Sequence, residues 1–223
     1  MRLIDGPRIA PRSGTAKQLV VFLHGYGADG NDLISLGREW QGLLPDAAFV
    51  SPNAPEPVPG HPMGRQWFGL TFRDPDERWR GVNKAQPILN EFLDAELAKN
   101  NLPSSALALV GFSQGTMMAL HVGLRRAVSP AAIVGYSGVL VTPSNQEAAK
   151  KAAEEIKSRP PVLLVHGDQD EVIPAQALLL SAQGLGGMGL TVEWHLSQGI
   201  GHGIDGDGLR IGGAFLQKAF RGR

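Results

Sequence analysis

The sequence predicts an α/β protein with a mainly parallel central sheet and helices on both of its faces. Short apolar runs alternate with helix-like segments along all 223 residues. Most of these runs are continuous rather than alternating, as expected of strands covered on both faces. Regular β–α alternation requires crossover connections, and these place helices over both faces of a parallel sheet. No linker or internal repeat divides the chain, so residues 1–223 read as one domain with a substantial core.

The first core strand is Gln18–Leu23, followed by a glycine-rich turn, Leu23-His24-Gly25-Tyr26-Gly27, and a helix over Asn31–Gly42. Ala47–Ser51 is the second strand. The segment from Ser51 to about Gly81 is irregular, proline-rich at first and then aromatic, with Trp67, Phe68, Phe72 and Trp79. So long a loop in a compact domain is functional or disordered, and its aromatic content favours order. A helix over Val82–Asn100 puts Val82, Ala85, Ile88, Leu89, Phe92, Leu93 and Leu97 on one face. The strand Ala106–Gly111 then leads into a helix over Gln114–Val128, and Ala131–Tyr136 is the next strand. Ser144 and Glu147 have the spacing of a capping box at the start of a helix over Ser144–Ser158. Val162–His166 and Thr191–Leu196 are the last strands, with helices over Ala175–Gly184 and Gly208–Phe220. Asp207 is the expected cap of the final helix.

Composition removes several classes of function. Lys plus Arg equals Asp plus Glu at 21 each, so no electrostatic footprint for nucleic acid is present. Cysteine is absent, which excludes disulfides, a thiol nucleophile and thiolate metal sites. No apolar run is long enough to span a bilayer, and Met1–Pro7 lacks the apolar core of a signal peptide. The expectation is a cytoplasmic protein without stable membrane insertion. Nothing in the sequence decides between a monomer and a homodimer.

The chemistry centres on Gly111-Phe112-Ser113-Gln114-Gly115, which lies between a strand and a helix. A G-x-S-x-G in that context is a nucleophile elbow: a turn so sharp that it presents the serine hydroxyl above the sheet. Its glycines are needed because a Cβ would meet the neighbouring strand or helix. A serine hydroxyl is a weak nucleophile, and needs an imidazole to take its proton and a carboxylate to orient that imidazole. Asp170 follows the strand Val162–His166, and His202 follows the strand Thr191–Leu196 in a glycine-flanked loop. Asp170 is favoured over Asp168, which reads as a turn-capping side chain. The other histidines form no ligand set: His24 and His166 shape turns at strand ends, and no pair shows metal-ligand spacing.

An oxyanion developing on a substrate carbonyl needs preorganised donors. One is the backbone N–H of Gln114, at a helix N-terminus, and the other comes from the loop Leu23–Gly27. Trp67 and Phe68 are candidates to wall an apolar groove beside the serine, or else core residues. Met117 and Met118 read as packing.

With these pieces assembled, the chain resembles the phospholipase/carboxylesterase family of α/β-hydrolases over nearly its whole length. The anchors are Leu23-His24-Gly25-Tyr26-Gly27, Ser51-Pro52-Asn53-Ala54-Pro55, Gln66-Trp67-Phe68, the elbow, His166-Gly167-Asp168-Gln169-Asp170 and Gly201-His202-Gly203-Ile204. The resemblance implies an α/β-hydrolase without a cap domain, since Tyr136 to Pro161 has room for one helix only. It implies Ser113 as nucleophile, Asp170 as acid, His202 as base, and the backbone N–H groups of Leu23 and Gln114 as the oxyanion hole. Trp67 matches a position lining the acyl groove. The implied activity is that of a serine carboxylesterase acting on a small-molecule ester with short to medium acyl chains, without a cofactor. An acyl-protein thioesterase or lysophospholipase would use the same machinery. A catalytically silent binding protein is disfavoured because serine and histidine are both present.

Overall fold

A computed structural model describes residues 4–71 and 73–222. In chain order the strands and helices are β1 (Arg8–Ile9), β2 (Gln18–Leu23), α1 (Gly30–Trp40), β3 (Ala47–Val50), β4 (Glu56–Val58), β5 (His61–Gln66), α2 (Glu77–Lys99), β6 (Leu107–Phe112), α3 (Gln114–Gly123), β7 (Ala132–Tyr136), α4 (Gln146–Glu154), β8 (Val162–Gly167), α5 (Gln176–Gly187), β9 (Val192–Ser197) and α6 (Gly206–Arg221). The main sheet has the order β1-β3-β2-β6-β7-β8-β9. β1 runs antiparallel to β3, and every other neighbouring pair is parallel.

Alternate residues of the central strands feed two separate cores. Leu19, Val21 and Leu23 of β2 pack with Val82, Leu89 and Phe92 of α2 and with α3. Val20 and Phe22 pack on the opposite face with Trp40 of α1 and Phe215 and Leu216 of α6. That is the period of two expected of a strand, applied to a run apolar on both sides. The chain builds leftward from β2 to β3 and then rightward from β6 to β9. The order therefore reverses between β2 and β6, and the crevice beyond their carboxyl ends is where ligands bind in open α/β sheets.

The expected strands and helices are all present, with differences at their ends. α2 begins at Glu77 rather than Val82 and takes in Gly81, where a Cβ would run into the Phe68 ring. α3 stops at Gly123 rather than Val128, and the Leu124 carbonyl accepts from Lys157 and Ser158 at 3.0 and 3.1 Å instead of from a further turn. Asn145, not Ser144, caps α4, its Oδ1 accepting from the Glu147 and Ala148 N–H groups. Ser144 turns away to Asp76, 3.0 Å from Oγ to Oδ2. Asp205 rather than Asp207 caps α6, accepting from Gly208 N–H at 3.0 Å.

Within the long segment after β3, residues 56–66 form a hairpin rather than an irregular loop. β4 and β5 pair antiparallel around Gly60, whose φ of 76° favours a residue without a side chain. The hairpin is tied to the turn after β2: Gly27 N–H donates to Arg65 O at 2.9 Å, and Arg65 N–H to Ala28 O at 2.8 Å. The Arg65 guanidinium bonds the Ala54 and Pro55 carbonyls at 2.9 and 2.8 Å. Among the described residues, no helix is long and apolar enough to cross a membrane.

Candidate active site

The elbow is built from steric necessity. A Cβ on Gly115 would run into the Leu23 carbonyl oxygen, and one on Gly111 into the Gly115 backbone. With both side chains absent, β6 turns directly into α3, and Ser113 takes φ 52°, ψ −114°. A non-glycine residue there costs about 1–3 kcal/mol and persists only where its surroundings over-determine it. They do so here. Ser113 N–H donates to Tyr136 O at 2.9 Å, and its carbonyl accepts from Thr116 and Met117. The Thr116 hydroxyl lies 2.8 Å from Gly111 O and 2.9 Å from Tyr136 O, stitching the elbow to β7.

Ser113 lines a cleft of about 350 Å³ with Gln114, Met117 and His202, and with Tyr26, Leu70, Arg78, Val172 and Ile173. Its residues come from the loops after β2, β5, β6, β8 and β9 and from the N-terminal turns of α2 and α3. Met117, expected to be packing only, forms part of this wall, while Met118 is fully buried.

The loops after β8 and β9 form one unit. Asp168 N–H donates to Ser197 O at 3.0 Å, Gln169 N–H to Ile200 O at 2.9 Å, and Gly199 N–H to Asp168 Oδ1 at 2.7 Å. Asp168 is thus a staple between the loops rather than the acid facing the histidine. Asp170 meets His202, with 2.7 Å between Oδ2 and Nδ1. The carboxylate is 0 % exposed and the imidazole 19 %, so the acid is dry while the ring reaches the cleft. Asp170 Oδ1 accepts from the N–H groups of Val172 and Ile173 at 2.9 and 2.8 Å. Burial raises the Asp170 pKa, but the bonds from Ile173, His202 and Val172 together outweigh it, leaving the group below the ordinary carboxylate range. Because Nδ1 faces a carboxylate it carries the proton, and Nε2 is left as the basic nitrogen. The ring packs against Phe112 with 5.0 Å between centroids.

His166 contributes to the same acid, which its sequence position did not reveal. Its Nε2 lies 2.8 Å from Ile173 O and 3.2 Å from Asp170 Oδ2, two acceptors, so Nε2 carries the proton there. His24 shapes its turn as expected: Nδ1 faces Gly25 O at 2.7 Å and Nε2 accepts from Ala54 N–H at 2.9 Å. Burial lowers its pKa.

The oxyanion donors differ in part from expectation. Gln114 is the first residue of α3, so its N–H has no partner within the helix, and the helix dipole adds positive potential. Leu23 is a fully buried ladder residue of β2, opposite Gly111, and does not line the cleft. The loop approaches the serine one turn later: a Cβ on Gly25 would lie 3.4 Å from Ser113 Cβ, and Tyr26 lines the cleft. Among the described residues the Tyr26 N–H has no acceptor. Leu23, expected as the second donor, is therefore buried away from the cleft, and Tyr26 is the residue of this loop that lines it.

Trp67 and Phe68, candidates for the groove wall or for the core, belong to the core. They are 1 % and 2 % exposed and pack in the core under the cleft, not along its wall. Trp67 Nε1–H donates to His24 O at 3.0 Å. The Gln114 side chain grips their backbone, Oε1 accepting from Trp67 N–H and Nε2 donating to Phe68 O, both at 2.8 Å. Leu70, just beyond, reaches the cleft. Among the described residues, no group of three or more His, Cys, Asp or Glu is placed to hold a metal ion.

Known proteins are similar to this chain over most of its length. The family model for phospholipase/carboxylesterase matches residues 4–220. Acyl-protein thioesterase 1 of Schizosaccharomyces pombe is 33% identical over 170 residues, covering 74% of this chain and 73% of that protein. Esterase YpfH of Escherichia coli is 28% identical over 196 residues, 88% of this chain and 80% of the relative. The crystal structure of esterase PE8 superposes with a TM-score of 0.91 at 43% identity, covering 98% of this chain and 100% of that one. With its reversal-point cleft and strained serine elbow, the chain is a serine hydrolase of the α/β-hydrolase fold and belongs to the phospholipase/carboxylesterase family.

Proposed function

We propose that the protein is a carboxylesterase that cleaves short- to medium-chain esters through an acyl-enzyme on Ser113. The observation that carries this reading is the dry Asp170–His202 pair, 2.7 Å apart, turned toward the cleft that holds the strained serine. In the first step His202 Nε2 takes the Ser113 hydroxyl proton as Oγ bonds to the ester carbon. The carbonyl electrons move onto oxygen, which the N–H groups of Tyr26 and Gln114 receive. Asp170 stays ionised and balances the imidazolium. Collapse of the tetrahedral intermediate breaks the carbon–alkoxide bond, and the leaving alcohol takes the proton from Nε2. Water then attacks the acyl-serine, giving its proton to the same nitrogen. The acid departs and Ser113 recovers its hydrogen.

The cleft supports short or medium acyl chains. Its volume of about 350 Å³ lies at the small end for ligand pockets, and Leu70, Met117, Val172 and Ile173 give it an apolar wall. The names of relatives such as the acyl-protein thioesterase of Schizosaccharomyces pombe support a second reading, in which a thioester is the substrate of the same groups.

Ser113→Ala, assayed beside wild type on p-nitrophenyl butyrate, is expected to lose at least about a thousandfold in kcat. Retained activity would assign the chemistry to another nucleophile. Long acyl thioesters cleaved in preference to short oxyesters would favour the second reading.

A further inference from the structure

The cleft carries a charge that hydrolysis of a plain alkyl ester leaves unused. Arg78 stands in its wall among the apolar side chains of Leu70, Met117 and Ile173. It is the second residue of α2, half-buried, and it also borders an adjoining hollow of about 390 Å³ beside Arg73 and Glu77. Among the described residues no carboxylate lines the cleft itself.

A guanidinium keeps its charge at every working pH, and its planar fork matches a carboxylate through parallel N–H···O bonds. It has five donors, so the protein can hold it in place while it binds a further acceptor. Its charge is screened less against an apolar wall than on open surface. A neutral acyl chain laid along this wall desolvates the cation without returning a hydrogen bond, whereas a chain ending in a carboxylate returns it.

Resting on the esterase reading above, we infer that Arg78 is a specificity residue that selects esters bearing a carboxylate at the far end of the acyl chain. These are half-esters of aliphatic dicarboxylic acids, with their methylenes on the apolar wall and the free carboxylate on the guanidinium. Neither the triad nor the oxyanion donors would create that preference, because they act at the scissile carbonyl.

The test measures kcat/KM for monoethyl adipate and ethyl hexanoate by acid release, in wild type, Arg78→Met and Arg78→Lys. The ratio of half-ester to neutral ester is expected to fall about tenfold in Arg78→Met, the scale of one charge-assisted hydrogen bond at a half-exposed site. Arg78→Lys, which keeps the charge but not the fork, should fall between. In wild type the same ratio should shrink as salt rises, which a packing role for Arg78 would not produce. A ratio equal in wild type and Arg78→Met overturns the inference, as does a wild-type ratio indifferent to salt. If wild type cleaves neither ester, the esterase reading itself falls and takes this inference with it.

Discussion

The elbow at residues 111–115 and the hairpin segment between β3 and α2 both shape the cleft, yet they are held in opposite ways. The elbow is enforced from within: missing side chains at Gly111 and Gly115 let backbone meet backbone, and the strain at Ser113 is locked by bonds to the adjacent strand. The hairpin segment is held from outside, by bonds to groups distant in sequence. Gln114 clamps Trp67 and Phe68, His24 O receives the Trp67 indole, and Gly27 and Ala28 pair with Arg65. The nucleophile's position thus resides in a short stretch of chain, while the cleft wall depends on partners that the stretch does not contain. Gln114 belongs to both systems: its backbone N–H opens α3 and is the proposed oxyanion donor, and its side chain holds the wall.

Breaking the elbow should have the largest effect. Gly115→Ala drives a methyl group into the Leu23 carbonyl, and nothing flexible lies there to move aside. It is expected to destabilise by more than about 4 kcal/mol, in the range reserved for core disruption, measured by chemical denaturation. Wild-type stability in that variant would show the elbow to be looser than its geometry.

Breaking the clamp should be smaller and of a different kind. Gln114→Leu leaves a buried N–H and a buried C=O unpaired, at a cost of about 2–4 kcal/mol for the two together. The residue-114 backbone N–H stays in place. KM should therefore rise more than kcat falls, and a loss as deep as that of Ser113→Ala would place the side chain in the chemistry rather than in the wall.

The join between the regions gives the smallest effect. Trp79, at the start of α2, packs edge-on against His121 of the elbow helix at 5.3 Å, and His121 Nε2 lies 3.0 Å from Gln86 Oε1. Burial, aided by Arg125, pushes the His121 pKa down to about 3. The folded protein therefore keeps this ring neutral below the usual histidine pKa of about 6.5, while the unfolded chain takes up a proton. Stability present above that pH is lost as pH falls from about 6.5 toward 3, by about 2 kcal/mol at pH 5. His121→Gln should flatten this part of the profile in thermal melts, and an unchanged slope would assign the loss to other groups.

The same contrast explains what could be read from the chain. β2, β6, β7 and β8 and the helices between them are legible because their continuous apolar runs suit only positions covered on both faces. Ser113, Asp170 and His202 are legible because each lies just past a strand end, and topology then brings those ends together. β4 and β5 are not, since Pro57 and Pro62 argue against strands and the pairing that stabilises them is with the turn after β2. Trp67 and Phe68 show the same limit: sequence marks a large aromatic, but whether it faces core or cleft depends on Gly81 leaving room for the Phe68 ring. The caps at Asn145 and Asp205 lay close to the expected Ser144 and Asp207, displaced because Ser144 and Ser197 are drawn into tertiary bonds with Asp76 and Asp205.

By itself, then, the sequence determined the α/β alternation, the elbow and the three side chains beyond strand ends, because these follow from periodicity, local steric limits and chain order. Tertiary structure alone decided which residue of the loop after β2 reaches the cleft, which side chains wall it, and that Asp168 staples two loops while Asp170 faces His202. Those outcomes depend on distances between loops far apart in the chain, and no local pattern encodes a distance that only the packed sheet sets.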